Sequence, residues 1–192
     1  MTSAVEICNL ALSELHAASI SSLDEASKES RACKRWYDRT RKAVLASSEW
    51  SFAGAFSVLA ELTNDRDGEW GYKYQVPNSI IKIRHLSALG ALEDDLAIPY
   101  QILGEAIYAD HEGLAAVYTA DIEDPTKFHE PFVNALASSL QARLALPVTG
   151  DRSLRQDALL DAQRLLAQAI TFDQGQSLQA TFSPSDYLTA RD

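Results

Sequence analysis

The residues that could carry chemistry are scattered along this sequence and form no known catalytic motif. The four histidines stand on separate predicted elements, at His16, His85, His111 and His129. The 192 residues contain no glycine-rich phosphate loop, no Gly-x-Ser-x-Gly elbow and no His-Glu-x-x-His pair. The sequence therefore predicts no catalytic residue and no enzyme activity.

Two short acidic runs offer the nearest approach to a metal site. Asp110-His111-Glu112 combines oxygen and nitrogen ligands, but consecutive residues on extended chain point to opposite sides and do not converge on one ion. Glu93-Asp94-Asp95 is more typical of a solvated turn. Cys8 and Cys33 lack the spacing of paired ligands, so we expect buried thiols, with a disulfide as the alternative. No metal and no cofactor is expected.

Charge is distributed unevenly along the chain. The formal net charge is −10, which argues against a protein that coats DNA. Residues 28–42 are nonetheless strongly basic, and a solvated face, a protein contact and a DNA contact all remain open for them. Residues 93–124 hold nine acidic residues and no Lys or Arg. A head-to-tail contact between copies would join these two regions, through Arg31, Arg35, Arg39, Lys42, Asp110 and Glu112.

Hydrophobic periodicity predicts an α+β protein, mainly α, with a β insertion. Amphipathic stripes indicate helices within residues 3–47 and 126–172, the second pair antiparallel, with Asp151 or Ser153 as a helix cap. Short apolar runs between turn residues indicate a β-rich insertion over 50–120. Within it, Ala106–Tyr108 and Leu114–Thr119 are predicted to form a hairpin. We treat 1–174 as one domain and 175–192 as an extended C-terminal arm.

Several short segments, in order along the chain, resemble a known family. They are Ile7–Leu15, Ile20–Glu25, Ala32-Cys33 with Tyr37–Arg41, Trp50–Ala53 with Leu59-Ala60, Trp70–Pro77 with Ile81 and Ile83, and Tyr118, Asp124-Pro125, Phe128, Phe132 and Ala135–Ala137. In this order they resemble the tail tubular protein A family of short-tailed phages and related adaptors, which attach to the portal ring.

The resemblance implies a structural subunit of the phage head-to-tail connector. Such a subunit is a helical bundle with a β insertion, and about twelve copies form a ring around the DNA channel. One surface would bind the portal protein and another a tail nozzle or stopper protein, while double-stranded DNA passes without sequence-specific binding. The implied location is the virion tail, after synthesis in the host cytoplasm. No membrane contact is expected.

The resemblance also assigns roles to two further groups of residues. The arm is expected to order on docking to the portal, with Phe182, Tyr187 and Leu188 as anchors. The acidic side chains of Glu93, Asp94 and Asp95 are expected to face the channel and to repel phosphate. Two other classes remain open: a monomeric acidic interaction protein that mimics DNA charge, and an enzyme with an unfamiliar site.

Overall fold

The computed structural model describes residues 2–89 and 98–178, which form four helices and two small antiparallel sheets. The α+β fold class predicted from the sequence is confirmed. The chain divides into two compact units. We call Met1–Phe52 with Ile122–Asp192 the helical unit, and Ala53–Asp121 the β unit.

The four helices are α1 (Ala4–Ser13), α2 (Lys28–Ala46), α3 (Glu130–Thr149) and α4 (Arg152–Leu178). Ser3 begins α1 with a capping box, because its hydroxyl accepts from the Glu6 N–H and the Glu6 carboxylate accepts from the Ser3 N–H. Ser27 caps α2 through the Ser30 N–H. These polar caps define where each helix starts.

The loop between α1 and α2 is anchored by a side-chain amide. Asn9 accepts from the Ile20 N–H at 2.8 Å and donates to the Ile20 carbonyl at 2.9 Å. Ile20 is buried and Leu23 is half-buried, in agreement with an inward-tucked loop. The loop therefore adds to the core instead of merely connecting two helices.

Helix α3 is the centre of the helical unit. It packs against α1, α2 and α4, and it buries Phe132, Leu136, Leu140 and Leu144 along one stripe. Leucines spaced by four residues lie one above another on a helix, which is why this repeat predicted a buried face. Helix α4 meets α3 through small residues, Ala158, Ala162 and Ala169, which allow close approach of the two backbones.

A left-handed residue ends α3, and an aspartate begins α4. Gly150 takes φ 76°, and the Asp151 carboxylate accepts from the N–H groups of Ser153 and Leu154. Asp151 is therefore the cap that the sequence left open between two residues. Helix α4 continues to Leu178, beyond the predicted helix end at residue 172 and into the predicted arm. The remainder of the arm lies outside the described residues.

The β unit contains two sheets. The strands are β1 (Gly54–Val58), β2 (Glu61–Leu62), β3 (Tyr72–Gln75), β4 (Ile80–Ala88), β5 (Tyr100–Leu103), β6 (Ala106–Ala109) and β7 (Leu114–Ala120). One sheet has the order β1-β7-β4 and the other the order β2-β3-β6-β5. Side chains from both sheets meet in one core, including Tyr74, Ile83, Ile107 and Leu114.

The predicted hairpin between β6 and β7 is wrong. Strand β6 pairs with β3 and β5, whereas β7 pairs with β1 and β4 in the other sheet. The turn at Asp110–Gly113, with Gly113 at φ 65°, carries the chain from one sheet to the other. All of β6 and the first residues of β7 are buried, so each strand lies in the interior of its own sheet.

Burial decides how much each helical leucine contributes to stability. Replacing Leu140, which is fully buried on α3, by alanine should lower the free energy of unfolding by about 2–5 kcal/mol, because a cavity remains. Leu160→Ala on α4 is the matched control: this side chain is 67% exposed, and the change should stay within about 0.5 kcal/mol. Urea unfolding of both variants measures the difference, and equal losses would contradict this core assignment.

Candidate functional site

An aromatic cluster joins three segments of the helical unit that are distant in sequence. The Trp50 ring lies 4.9 Å from the Phe132 ring in edge-to-face geometry, and the Phe52 ring lies 4.9 Å from Phe132 in the same geometry. The His129 ring contacts Phe52 and Phe172, at 5.0 Å and 5.6 Å between ring centroids. The cluster therefore connects the segment after α2, the start of α3 and the last turns of α4.

A buried carboxylate lies beside this cluster. Asp173 is 2% exposed, and its oxygens accept from the backbone N–H of Ser51 at 2.9 and 3.2 Å. The Ser51 hydroxyl also donates to Asp173, at 2.6 Å. A buried charge is tolerated only where donors surround it, and Ser51 supplies two of them.

His129 supplies a third donor to Asp173 and fixes its own tautomer in doing so. The Phe132 N–H donates to Nδ1 at 3.2 Å, so the proton of the neutral ring is on Nε2. Nε2 lies 3.2 Å from the Asp173 carboxylate. The same imidazole therefore caps α3 at its N-terminus and donates a hydrogen bond to the carboxylate on α4. The sequence predicted no role for His129 or for Asp173.

Ser51, His129 and Asp173 include the residue types of a serine-hydrolase triad, but they are connected differently. In a triad the serine hydroxyl donates to the imidazole, which then removes its proton. Here the Ser51 hydroxyl donates to Asp173, and both imidazole nitrogens are occupied. This geometry does not activate Ser51 as a nucleophile. We call these three residues the Asp173 clamp, because they hold α4 to the segment that leaves α2.

The exposed basic side chains of α2 form a continuous surface. The helix carries seven basic and two acidic residues in an otherwise acidic chain. Arg31, Arg35 and Arg39, which we call the arginine stripe, are all exposed. Together with exposed Lys42 they lie within an arc of about 80° and extend over about 16 Å of the helix. No carboxylate within residues 2–89 and 98–178 forms an ion pair with the three arginines.

One member of the predicted basic face lies elsewhere. Arg41 is 1% exposed, donates to the Ile122 carbonyl at 2.6 Å and contacts Asp38 at 3.4 Å. It lies on the buried side of α2 because the helical period places it away from the arginine stripe. Arg41 is therefore part of the core of the helical unit, not of its surface.

A tryptophan lies beside the arginine stripe. The Arg39 guanidinium carbon is 5.9 Å from the centre of the Trp36 ring, and that of Arg143 on α3 is 5.4 Å from it. Both distances suit cation–π contacts, which hold guanidinium groups in place without neutralising them. Half-buried Trp36 is thus an apolar group between positive charges, and Arg143 extends the basic surface onto α3.

The two acidic residues predicted for an inter-subunit contact differ in their surroundings. Both Asp110 and Glu112 are exposed, but the Asp110 carboxylate accepts from the Gly71 N–H at 2.8 Å and holds that loop. No hydrogen bond or ion pair to the Glu112 carboxylate occurs within the described part of the chain. Of the two residues, Glu112 is therefore the better candidate for a contact.

A second free carboxylate, which the sequence analysis did not single out, lies near Glu112. Glu61 is opposite Tyr74 in the β2–β3 register, and the Tyr74 hydroxyl donates to the carbonyl of His111, next to Glu112. Burial raises the pKa of Tyr74, and the charges of Glu61 and Glu112 raise it further. The two carboxylates therefore flank the same tyrosine at one end of the β unit.

Two other acidic residues of the β unit, Asp65 and Glu69, have internal partners. Asp65 accepts from Lys73 and from the Tyr108 hydroxyl, each at 2.8 Å, and these two hydrogen bonds hold the pKa of Asp65 below its usual value. Glu69 pairs with Arg66. These carboxylates stabilise turns within the unit.

A groove of about 290 Å³ lies between α1, α3 and α4. Its floor includes Ala137 and Ser138, and Leu10 and Leu165 are among the residues of its walls. The Ser138 hydroxyl is buried and has no hydrogen-bond partner among the residues that the structure describes. Small residues at these positions create the groove.

Several predicted positions lie outside the described residues. These are the expected channel-facing Glu93, Asp94 and Asp95 and the expected portal anchors Phe182, Tyr187 and Leu188. Within residues 2–89 and 98–178, no group of three or more His, Cys, Asp or Glu side chains is arranged to hold a metal ion. None of the described helices combines the length and the apolar character that crossing a bilayer requires.

The Asp173 clamp should contribute strongly to stability. Asp173→Ala should lower the free energy of unfolding by about 2–4 kcal/mol, because the donors of Ser51 and His129 lose a buried acceptor. Asp157→Ala, on the exposed side of the same helix, should change it by less than about 0.5 kcal/mol. Thermal unfolding of both variants tests this, and a comparable loss in the two would rule out the clamp.

Two serines of the helical unit allow a comparison of one hydroxyl that is bonded with one that is not. Ser51→Ala removes a donor to Asp173 and should cost about 1–2 kcal/mol of stability. Ser138→Ala removes a buried hydroxyl without a partner and should leave stability unchanged or raise it by about 0.5 kcal/mol. Denaturant unfolding should therefore show a loss of stability for Ser51→Ala alone, and a loss for Ser138→Ala would show that the Ser138 hydroxyl has a stabilising partner.

The Asp173 clamp and the arginine stripe are the two polar features of the helical unit that geometry singles out. The first is internal and structural, whereas the second is exposed and free to bind. No protein-family model and no curated protein matches the chain. A function must therefore be argued from the sequence pattern and from these surfaces.

Proposed function

We propose that this protein is an adaptor subunit of a phage head-to-tail connector, which joins the portal to the tail around the DNA channel. The main support is the order of elements: two helices, an inserted β unit and two further helices. That order is the one that the resemblance to the tail tubular protein A family implies. Its segments fall on α1, α2, β3, β4, β7 and α3 and on the connections between elements.

The packing of the helical unit suits a structural subunit that needs to be rigid. Helix α3 packs against the three other helices, and the Asp173 clamp fixes the far end of α4. A subunit held in this way resists deformation when its neighbours press on it. A ring of such subunits multiplies weak contacts, so each contact needs little affinity of its own.

The charge of the protein suits a channel through which DNA slides. The net charge of −10 disfavours persistent contact with phosphate. Seven basic residues lie on α2, and the three of the arginine stripe are available for a protein partner. In this proposal Glu93, Asp94 and Asp95 face the channel, and Phe182, Tyr187 and Leu188 bind the portal.

Electron microscopy of the purified chain mixed with its candidate portal tests the proposal. A ring of added density on the narrow end of the portal is expected. A chain that ends at Leu178 should remain folded but bind the portal at least tenfold more weakly, because the proposed anchors are missing. Circular dichroism of the truncated chain is the control for folding.

The absence of a ring would overturn the connector proposal. A folded monomer that ignores the portal but competes with DNA for DNA-binding proteins would instead be an acidic inhibitor. The net charge of −7 on the β unit, from 11 acidic and four basic residues, is the observation that favours this second candidate. If the truncated chain binds the portal as strongly as the full chain, the proposed anchors are wrong, but the proposal of a ring on the portal is unaffected.

A further inference from the structure

We infer that the arginine stripe of one copy binds the Glu61 and Glu112 end of the β unit of the next copy, so that copies join head to tail. This inference deepens the proposed function and rests on it for the closure of the contacts into a ring. The partner is a second copy of this chain, and the chemistry of recognition is guanidinium to carboxylate. The contact replaces the Asp110 pairing expected from the sequence.

The arginine stripe is an exposed charged surface with no ion-pair partner among the described residues. Arg31, Arg35 and Arg39 are exposed on one side of α2, with no ion-pair partner among the described residues. Elsewhere on the same helix, Lys34 pairs with Asp24 at 2.6 Å and Arg41 is buried. The unpaired arginines of α2 are therefore restricted to one stripe, although the chain has ten more acidic than basic residues.

The acidic end of the β unit has matching properties. Glu61 and Glu112 are exposed, and neither has a hydrogen-bond partner within the described residues. Two exposed apolar side chains belong to the same end, Val58 at 56% exposure and Leu89 at 49%. The Leu89 N–H donates to the Gly113 carbonyl, next to Glu112, and Val58 lies three residues before Glu61.

The two surfaces are complementary in composition as well as in charge. Each combines an apolar group with charges of a single sign: Trp36 beside arginines, and Val58 and Leu89 beside glutamates. Protein interfaces commonly have an apolar centre, in which Trp and Arg are enriched, and a polar rim. Arg39 is already held against Trp36, so less side-chain entropy is lost when it binds a carboxylate.

A second copy is favoured over DNA as the occupant. The chain repels DNA at long range because of its net charge, whereas every copy carries both the stripe and a carboxylate end. Because the two surfaces are different, a pair of bound copies still has one free arginine stripe and one free carboxylate end. Further copies can therefore bind in the same way until the ring closes. A single contact of exposed charges is weak and sensitive to salt, which suits subunits that assemble only in a ring.

Charge reversal provides the test, measured by sedimentation velocity of the full chain at about 0.05 M and 0.5 M salt. One variant carries Arg31→Glu, Arg35→Glu and Arg39→Glu, and a second carries Glu61→Lys and Glu112→Lys. A third combines all five changes. The wild-type chain should self-associate more strongly at low salt, and each partial variant should associate at least tenfold more weakly, because like charges then meet.

Rescue separates the contact from unfolding. The combined variant, and an equimolar mixture of the two partial variants, should recover association to within about threefold of wild type, because opposite charges meet again. The matched control reverses three exposed arginines of α4, in Arg152→Glu, Arg155→Glu and Arg164→Glu, and should associate like wild type. Circular dichroism confirms that every variant is folded.

Three results would overturn the inference. The first is a wild-type chain that stays monomeric at both salt concentrations. The second is a combined variant that does not recover self-association. The third is loss of double-stranded DNA binding as the only effect of reversing the stripe. The last would identify the stripe as a phosphate-binding surface. If a ring forms on the portal and the charge reversals do not affect it, the connector proposal holds and this contact is wrong. If the copies associate in a charge-dependent way but do not bind the portal, this contact holds and the connector proposal is wrong.

Discussion

The buried carboxylate of Asp173 is the constraint on which the C-terminal half of the helical unit depends. A carboxylate at 2% exposure needs hydrogen-bond donors around it, and two distant parts of the chain, Ser51 and His129, supply three of them. Helix α4 is 27 residues long and meets α3 largely through alanines, whose burial contributes little each. The clamp supplies directional bonds where apolar burial alone specifies the position of α4 poorly.

Features that depend on local sequence could be predicted. The apolar periods of α1 and α3 and the cap at Asp151, one of the two predicted candidates, are set by residues within one or two turns of each other. Strand existence was also predictable, because short apolar runs between turn residues indicate β structure. The α+β class follows from these local patterns.

Features that depend on distant pairing could not be predicted. Ser51 and Asp173 are separated by 122 residues, and no local signal distinguishes Asp173 from the exposed aspartates of α4. The β6–β7 error has a similar cause, since two apolar strands around a short polar turn fit a hairpin and a change of sheet equally well. The burial of Arg41 and the unpaired carboxylate of Glu61 were missed because charge in a sequence does not show which carboxylates and guanidinium groups already have partners.

The pairing of β1 with β7 has a consequence for the order of folding. Gly54 lies opposite Thr119 in this ladder, so the insertion's own strands bring its two ends together. Without the ladder, joining Phe52 to Ile122 would mean closing a flexible loop of 69 residues, with an entropic cost of about 4 kcal/mol from the length term. Once the ladder forms, the two ends of the insertion are already close together. The entropic cost of bringing α2 and α3 into contact is then that of a short connection. The insertion therefore shortens the effective chain that the four helices have to fold.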